Sequence, residues 1–574
     1  MKRLFLLTSA FLLAMTITAV PAKKGIKRVL TLDNGTQVTA ELQGDEFLSF
    51  WKADNGECYV LTNGQQEVYQ VADIPALQVK ADQLRKESNA RRAKRLQATR
   101  KNAFGGDHPV YENVKKGLII LVYYTDTQFG KTHNQKFYQR VANERHFTSS
   151  IGFKGSVKDY FLDQSNGRFE LDFDVVGPYK LDHEVAYYGA HDGGNNDKRP
   201  GRMIADACAK ADADVDFSQY DWNGDGRVEQ IYVLYAGLGE AAGGASTTIW
   251  PHEWSLSSSD YGTQYVTNDG ETFVDTYSCG SELTKNYLGN NTADGIGTIC
   301  HEFSHCLGLP DMYDTRQSQE YGMGSWDLMA HGSYNDGGFC PPNYSTYEKW
   351  QTGWIEPVIL FEPTTVKGVP AQAVDYGKTF VIYNDDNPDE CYLLENRQTN
   401  VGIWDTKMPG SGLMIQHLDY NSTIWSMNNV NAIVNYSQQY GPQYAYMDND
   451  HQRCTIYHAD NTAGVANETT DLYPYEGNNS LTATSTPAAI CYTGTSLLSK
   501  PITNIVQNDD GTIDFDFMGG SSTNIIIATA IDAITVNKPV QNDNSWYTID
   551  GQRLNGEPTQ RGIYIHNGQK FVVK

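Results

Sequence analysis

The sequence predicts an α+β domain, a twisted sheet with one chemistry-bearing helix, lying between a separate N-terminal segment and all-β modules. Three observations carry this prediction. Gly117-Leu-Ile-Ile-Leu-Val-Tyr-Tyr124 is an apolar, β-branched run of the kind that forms a buried strand. Residues 292–309 place Ile296, Ile299, Cys300, Phe303 and Leu307 at helical offsets, so that one side of a helix can be buried. Beyond about Pro357 the pattern becomes short strands separated by Asn/Asp/Gly turns, as in Thr379–Tyr383, Gly412–Ile415 and Gly511–Phe517. A chain of 574 residues is long enough for three or four domains with cores of their own.

At the start, Met1-Lys2-Arg3 precedes Leu4-Phe-Leu-Leu and further apolar residues to Val20, a signal-peptide pattern with a cleavage point at Val20-Pro21-Ala22. The strongly apolar stretch is short for a bilayer span, and no other segment approaches that length. Residues 23–106 read as a pro-segment. Alternating strands such as Arg28-Val-Leu-Thr-Leu32 are broken by turns at Asp33-Asn34-Gly35 and Asp54-Asn55-Gly56, and a basic helical stretch runs from Val79 to Thr99. Phe104-Gly-Gly-Asp107 follows as a linker open to proteolytic nicking. The Lys/Arg excess either docks this unit on an acidic neighbour or simply solvates a helix.

The run His301-Glu302-Phe303-Ser304-His305-Cys306-Leu307-Gly308-Leu309-Pro310-Asp311 concentrates the chemistry. Two histidines four apart project from one helix face, close enough to bind a single Zn²⁺. Glu302 lies between them and can polarise a metal-bound water without being a ligand. Gly308 can adopt the left-handed conformation that ends a helix and turns the chain back. That turn makes Asp311 a candidate third ligand, with Glu348 of Tyr347-Glu-Lys-Trp350 as its rival. One position stays open for water and substrate, as a catalytic zinc requires. Such a site lowers the pKa of bound water to roughly 7, and Glu302 would take the proton and pass it to the departing amine. The pattern therefore predicts zinc-dependent peptide hydrolysis. Met329, in Gly324-Ser-Trp-Asp-Leu-Met329, stands where the apolar floor of a Met-turn is expected. Cys300 and Cys306 flank the helix and are expected to pack rather than react.

Other signals are weaker. Asp221, Asn223, Asp225 and Glu229, with Gly226 for the sharp turn, match the first part of a calcium loop or a plain Asn/Asp/Gly turn into a strand. Tyr232 occupies the place of the terminal bidentate glutamate, so this is not a complete EF-hand. Trp250-Pro251-His252 is expected on the cleft rim, with His252 structural. A net charge of −24 argues against a nucleic-acid partner. The nine cysteines form no CxxC pair, and an odd count leaves at least one thiol free or paired between chains. Cys58 is a buried strand cysteine or a zinc-ligating latency switch.

The matching pieces are spread widely: Gly117–Asp126, Ile249–His252, His301–Asp314, Gly324–Met329, Tyr347–Trp354, Tyr392–Gln398 and Pro409–Asp419. In them the chain resembles the immune inhibitor A family of secreted bacterial zinc metallopeptidases, over roughly residues 115–520. The resemblance implies a zincin catalytic domain with metzincin-like spacing, His301 and His305 as ligands, and Glu302 as general base and acid. No tyrosine follows Met329 directly, so a role for Tyr334 or His331 at the oxyanion is not assigned. The last section, Trp546–Arg553 and Arg561–Lys574, resembles the carboxy-terminal sorting domain of Bacteroidetes type IX secretion cargo, or is a plain hairpin around His566-Asn567-Gly568.

The expected organisation is a signal peptide (1–22), a pro-segment (23–106), a zinc metallopeptidase domain (107–360), a β-sandwich-like module (361–519) and a sorting-like domain (520–574). The expected activity is that of a secreted or surface-located, zymogen-like zinc endopeptidase acting on extracellular or host proteins, with secretion machinery as a further partner. Two alternatives use the same residues. One is a non-catalytic adhesin or glycan-binding protein with a vestigial zincin domain; the other is a zinc hydrolase of a non-protein amide bond.

Overall fold

The computed structural model describes residues 20–62, 67–81, 111–191, 197–286, 288–316, 320–373, 378–464, 467–494 and 498–520, with short stretches between 523 and 573. Residues 1–19 of the expected signal peptide, and all but the start of the basic stretch expected from Val79 to Thr99, lie outside these residues.

The N-terminal unit is an antiparallel meander of five strands: β1 (Lys27–Thr31), β2 (Gln37–Asp45), β3 (Leu48–Ala53), β4 (Cys58–Leu61) and β5 (Tyr69–Val71). Both expected turns occur, with Gly35 and Gly56 at positive φ between the first and second, and third and fourth, strands. A short helix, α1 (74–81), follows. This sheet is too small to bury its own face. Leu30, Leu42, Trp51 and Tyr59 close their core only with Ala241 and Trp250 of the next domain.

That domain is built on β6 (Asn113–Tyr123), β7 (Phe169–Lys180), β8 (Arg227–Val228), β9 (Ile231–Leu238), β10 (His252–Ser255), β11 (Tyr265–Val266), β12 (Phe273–Val274), β13 (Thr276–Lys285) and β14 (Asn291–Ala293). The main sheet runs β10-β13-β9-β6-β7, with β14 beside β13; β8, β11 and β12 form a small separate sheet. Strand β6 lies parallel to both its neighbours, which explains its unbroken apolar run: both faces are covered. Ile119 and Leu121 point to the side packed by α2 (Gln135–Asn143) and α3 (Val157–Gln164), which share a core with Phe303. Leu118, Ile120 and Val122 point to the opposite side, packed by α4 (Val185–Gly189) and α5 (Pro200–Ala211). Each of these fully buried side chains contributes about 1.5–3 kcal/mol. Strand β10 is antiparallel to β13 and forms the edge. Helices α6 (Gly297–Cys306) and α7 (Thr346–Gln351) complete the domain.

Two further sheets follow. The first is β15 (Val358–Ile359), β17 (Phe380–Asn384), β18 (Asn387–Arg397), β19 (Gly412–Asp419) and β20 (Cys454–Ile456), in that order. The second is β21 (Ile502–Gln507), β22 (Ile513–Phe517), β16 (Thr364–Val369) and β23 (Thr523–Ile526). Phe380, Ile382, Tyr392 and Leu394 share a core with Val366, Ile502 and Phe515 of the second sheet, a sandwich-like arrangement. The alternate residues Val381, Tyr383, Cys391 and Leu393 join the core of the preceding domain, with Phe303 and Met329. The expected boundary at residue 360 falls after β15, which already belongs to the downstream sheet, and the packing is continuous across it. Near the carboxy terminus, β24 (Trp546–Thr548), β25 (Arg553–Leu554), β26 (Gly562–His566) and β27 (Gln569–Val573) form a sheet in the order β25-β24-β26-β27. Pairing of His566 with Gln569 closes the last hairpin.

All nine cysteines are free thiols. No described helix is long and apolar enough to cross a membrane.

Candidate active site

Helix α6 starts where two glycines let it press onto the 331–338 turn. A Cβ on Gly295 would come within 2.0 Å of Gly338 O, and one on Gly297 within 1.9 Å of Ser333 O. The helix ends in a Schellman motif: Gly308 N–H donates to His305 O, Leu309 N–H donates to Ser304 O, and Gly308 has φ +91°. The chain then doubles back, as the glycine position predicts. Every residue of α6 is buried, both histidines included. An amphipathic helix with one face on an open cleft was expected. The other face is covered too, because chain from both ends of the sequence closes over it.

His301 Nδ1 lies 2.8 Å from Leu328 O, and His305 Nδ1 lies 2.8 Å from Leu309 O. A carbonyl only accepts, so in the neutral rings Nδ1 carries the proton and each Nε2 presents a bare lone pair. The two Nε2 atoms are 3.2 Å apart, and Asp311 Oδ1 lies 3.2 Å and 3.4 Å from them. Burial pushes the Asp311 carboxyl up, but the His305 and His301 imidazoles more than reverse this and hold it below the usual carboxylate range. Apart from the two imidazoles, Asp311 Oδ1 has no hydrogen-bond partner among the described residues. Two imidazole nitrogens and a carboxylate oxygen, all buried and converging on one point, are a donor set suited to a divalent cation such as zinc.

Glu302 is fully buried, and its carboxyl is pushed well above the usual range by burial and then by Asp311. Its Oε1 accepts from Val20 N–H at 2.9 Å, while Oε2 has no partner among the described residues. The segment Val20–Lys23 is held along its main chain. Trp250 Nε1 donates to Val20 O at 3.0 Å and Tyr334 Oη to Pro21 O at 2.7 Å, while Lys23 N–H donates to Ala241 O at 3.0 Å. The expected leader boundary after Ala22 therefore falls inside a segment whose Val20 and Ala22 are buried in the site.

Met329 is fully buried; its carbonyl accepts from Met312 N–H, and Asp327 Oδ1 accepts its own N–H. His331 is half-buried and stacks with Tyr313, and desolvation pushes its imidazole well below the usual value. The rival ligand Glu348 is not at the site. It accepts from Ser345 N–H as the cap of α7 and lies beside Asp327. His252 sits inside the sheet, bonded to Trp250 O and Tyr277 Oη, and burial pushes it down to about 4. Cys58 lies in β4, its thiol nearest Gly56 O, and takes no part in the histidine–aspartate group.

The 221–229 loop is closed by its own amides. Asp221 accepts from the N–H groups of Asn223, Gly224, Asp225 and Gly226, Asn223 accepts from Asp225 N–H, and Asp225 accepts from Arg227 N–H. Glu229 accepts from Trp222 N–H at 2.5 Å, and burial pushes its carboxyl up to about 7.

Sequence reasoning missed Asn428, which bonds Asp311 twice, and Glu468 and Asp471, which hold Ser325 and Trp326 beside the Met329 turn. No local signal marks them; each lies more than a hundred residues from its partner.

A family model described as immune inhibitor A peptidase M6, catalytic domain, matches residues 111–356. Among similar proteins are Pre-pro-metalloprotease PrtV of Vibrio cholerae serotype O1, 26% identical over 260 residues, and Immune inhibitor A of Bacillus thuringiensis subsp. alesti, 27% identical over 274 residues. These alignments cover 39% and 41% of this chain but only 27% and 39% of the relatives' own lengths. Residues 111–356 are thus similar to the peptidase M6 catalytic domain of the immune inhibitor A kind, and the matches support a metallopeptidase.

Proposed function

We propose that the chain is an exported, zymogen-like zinc endopeptidase that hydrolyses extracellular or host proteins. The observation that carries this is the convergence of His301 Nε2, His305 Nε2 and Asp311 Oδ1 beside the buried carboxylate of Glu302. Zinc bound by those three atoms would supply acidified water and polarise the scissile carbonyl. Glu302 takes a proton from the attacking water and returns it to the leaving amine. Trp250 and Tyr334, which donate to successive carbonyls of the Val20–Pro21 stretch, donate in the same way to a substrate main chain, and Tyr334 steadies the oxygen on which charge develops. Leu328 and Leu309 fix the imidazoles through their carbonyls.

The same contacts support the pro-segment reading. Val20 N–H occupies the carboxylate that must receive a proton, so the N-terminal unit has to leave before turnover. Its docking uses Arg28 on Gly243 O and Gly244 O, and Lys23 on Lys285 O, so backbone carbonyls take the place of an acidic patch. Leader cleavage before Val20 fits the burial of Val20–Ala22. A calcium ion held by Asp221, Asn223, Asp225 and Glu229, and sorting through residues 520–574, belong to the same proposal.

The test compares casein and gelatin cleavage by the full chain before and after tryptic nicking in the Lys/Arg-rich 82–110 stretch, with and without a zinc chelator. Cleavage that appears on nicking, disappears with chelator and returns with Zn²⁺ supports the reading. Cleavage that persists through complete metal removal overturns it.

A further inference from the structure

Behind the cleft wall lies a second convergence of ligand atoms, built from residues that the proposed peptidase chemistry does not use. His191, Asp197 and Glu240 each offer an atom within 4.8 Å of the other two. His191 and Asp197 are bridged across the neck of their loop, so their side chains are set by backbone pairing. His191 Nε2 lies 3.0 Å from Glu240 Oε2. Asp197 uses Oδ2 to accept Trp250 N–H at 2.8 Å, while its Oδ1 is shielded from solvent with no hydrogen-bond partner among the described residues. Glu240 is 6% exposed, and its Oε1 accepts from Ser49 of the N-terminal unit at 3.3 Å.

Two carboxylates enclosed this close repel each other unless a proton or a cation lies between them. The set contains one imidazole nitrogen and two carboxylate oxygens. Calcium and magnesium favour oxygen alone, whereas this mixture suits zinc and its transition-metal neighbours.

We propose that His191, Asp197 and Glu240 form a second metal site, taking one divalent transition-metal ion of the zinc type. A cation there ties the 191–197 neck and Glu240 to the backbone of Trp250, whose indole faces the catalytic cleft. It is a structural site, because Asp197 and Glu240 keep their bonds to Trp250 and Ser49.

The experiment counts metal on the full chain. Wild type, the H301A/H305A double variant, and that double variant with D197N or with E240Q added are saturated with Zn²⁺, gel-filtered and assayed by mass spectrometry for zinc. Co²⁺ substitution gives an absorption spectrum of the same samples, and near-UV circular dichroism reports folding. The expected counts are two equivalents for wild type, one for H301A/H305A, and none when D197N or E240Q is added. A folded H301A/H305A protein with no zinc overturns the proposal, as does an equivalent that survives both D197N and E240Q. Because the decisive count is made with the histidine pair at 301 and 305 removed, failure here and failure of the peptidase reading give different results.

Discussion

Asn428 grips Asp311 from two directions: its side-chain carbonyl accepts the Asp311 N–H at 2.7 Å, and its amide donates to Asp311 Oδ2 at 2.5 Å. This divides the carboxylate. Oδ2 is committed to Asn428, which leaves Oδ1 turned toward the two imidazoles. A residue from the connection between β19 and β20 thereby orients a candidate ligand of the preceding domain.

Asn428→Gly tests that role. Asn428 has φ +51°, a conformation glycine adopts without strain, so the substitution removes the amide and spares the backbone. Metal affinity, measured by competition with a chromophoric chelator, should fall about 10–100-fold. Unchanged affinity would show that Asp311 is held by other means.

Glu302→Gln should abolish peptide cleavage while stoichiometric zinc is retained, since Glu302 faces Val20 and lies outside the ligand group. His301→Ala should lose both. Equal metal loss in the two variants would mean that Glu302 is a ligand rather than the proton carrier.

Tyr334→Phe should lower kcat of the nicked protein by roughly 10²–10³ with little change in KM, the usual effect of losing one donor to a developing oxyanion. The motive is its bond to Pro21 O. A kcat within a factor of two of wild type would confine Tyr334 to holding the N-terminal segment.

His252 gives a pH signature. It is 2% exposed, and burial lowers its pKa from 6.5 to about 4, so the fold favours the neutral ring. Above pH 6.5 folded and unfolded rings are both neutral and full stability is present. As pH falls from 6.5 toward 4, only the unfolded chain takes up the proton and stability is lost. Between pH 7.5 and pH 5 this amounts to about 2 kcal/mol. Denaturant unfolding at both pH values should show His252→Gln lacking that share of the decline.

Gly297→Ala should destabilise the domain by more than about 1 kcal/mol despite alanine's better helix propensity, because its methyl meets Ser333 O. A higher melting temperature would mean that the 331–338 turn yields freely.

Much of the site was legible because its signals are local. The spacing of His301 and His305 follows from the helix period, and Gly308 announces the reversal that returns Asp311, all within eleven residues. The apolar run of β6 likewise states that both its faces are covered. The N-terminal turns at Gly35 and Gly56 follow from short-range backbone preferences. Glu348 could not be dismissed from sequence, since only packing shows it capping α7 beside Asp327. Tertiary structure alone decided what closes over helix α6. Val20 reaches Glu302 across 282 positions and Asn428 reaches Asp311 across 117. Such pairings depend on the sum of many weak packing terms along the whole chain. The sequence by itself therefore determined which side chains are candidates for the chemistry, and folding decided which of them are covered, shared or held in place.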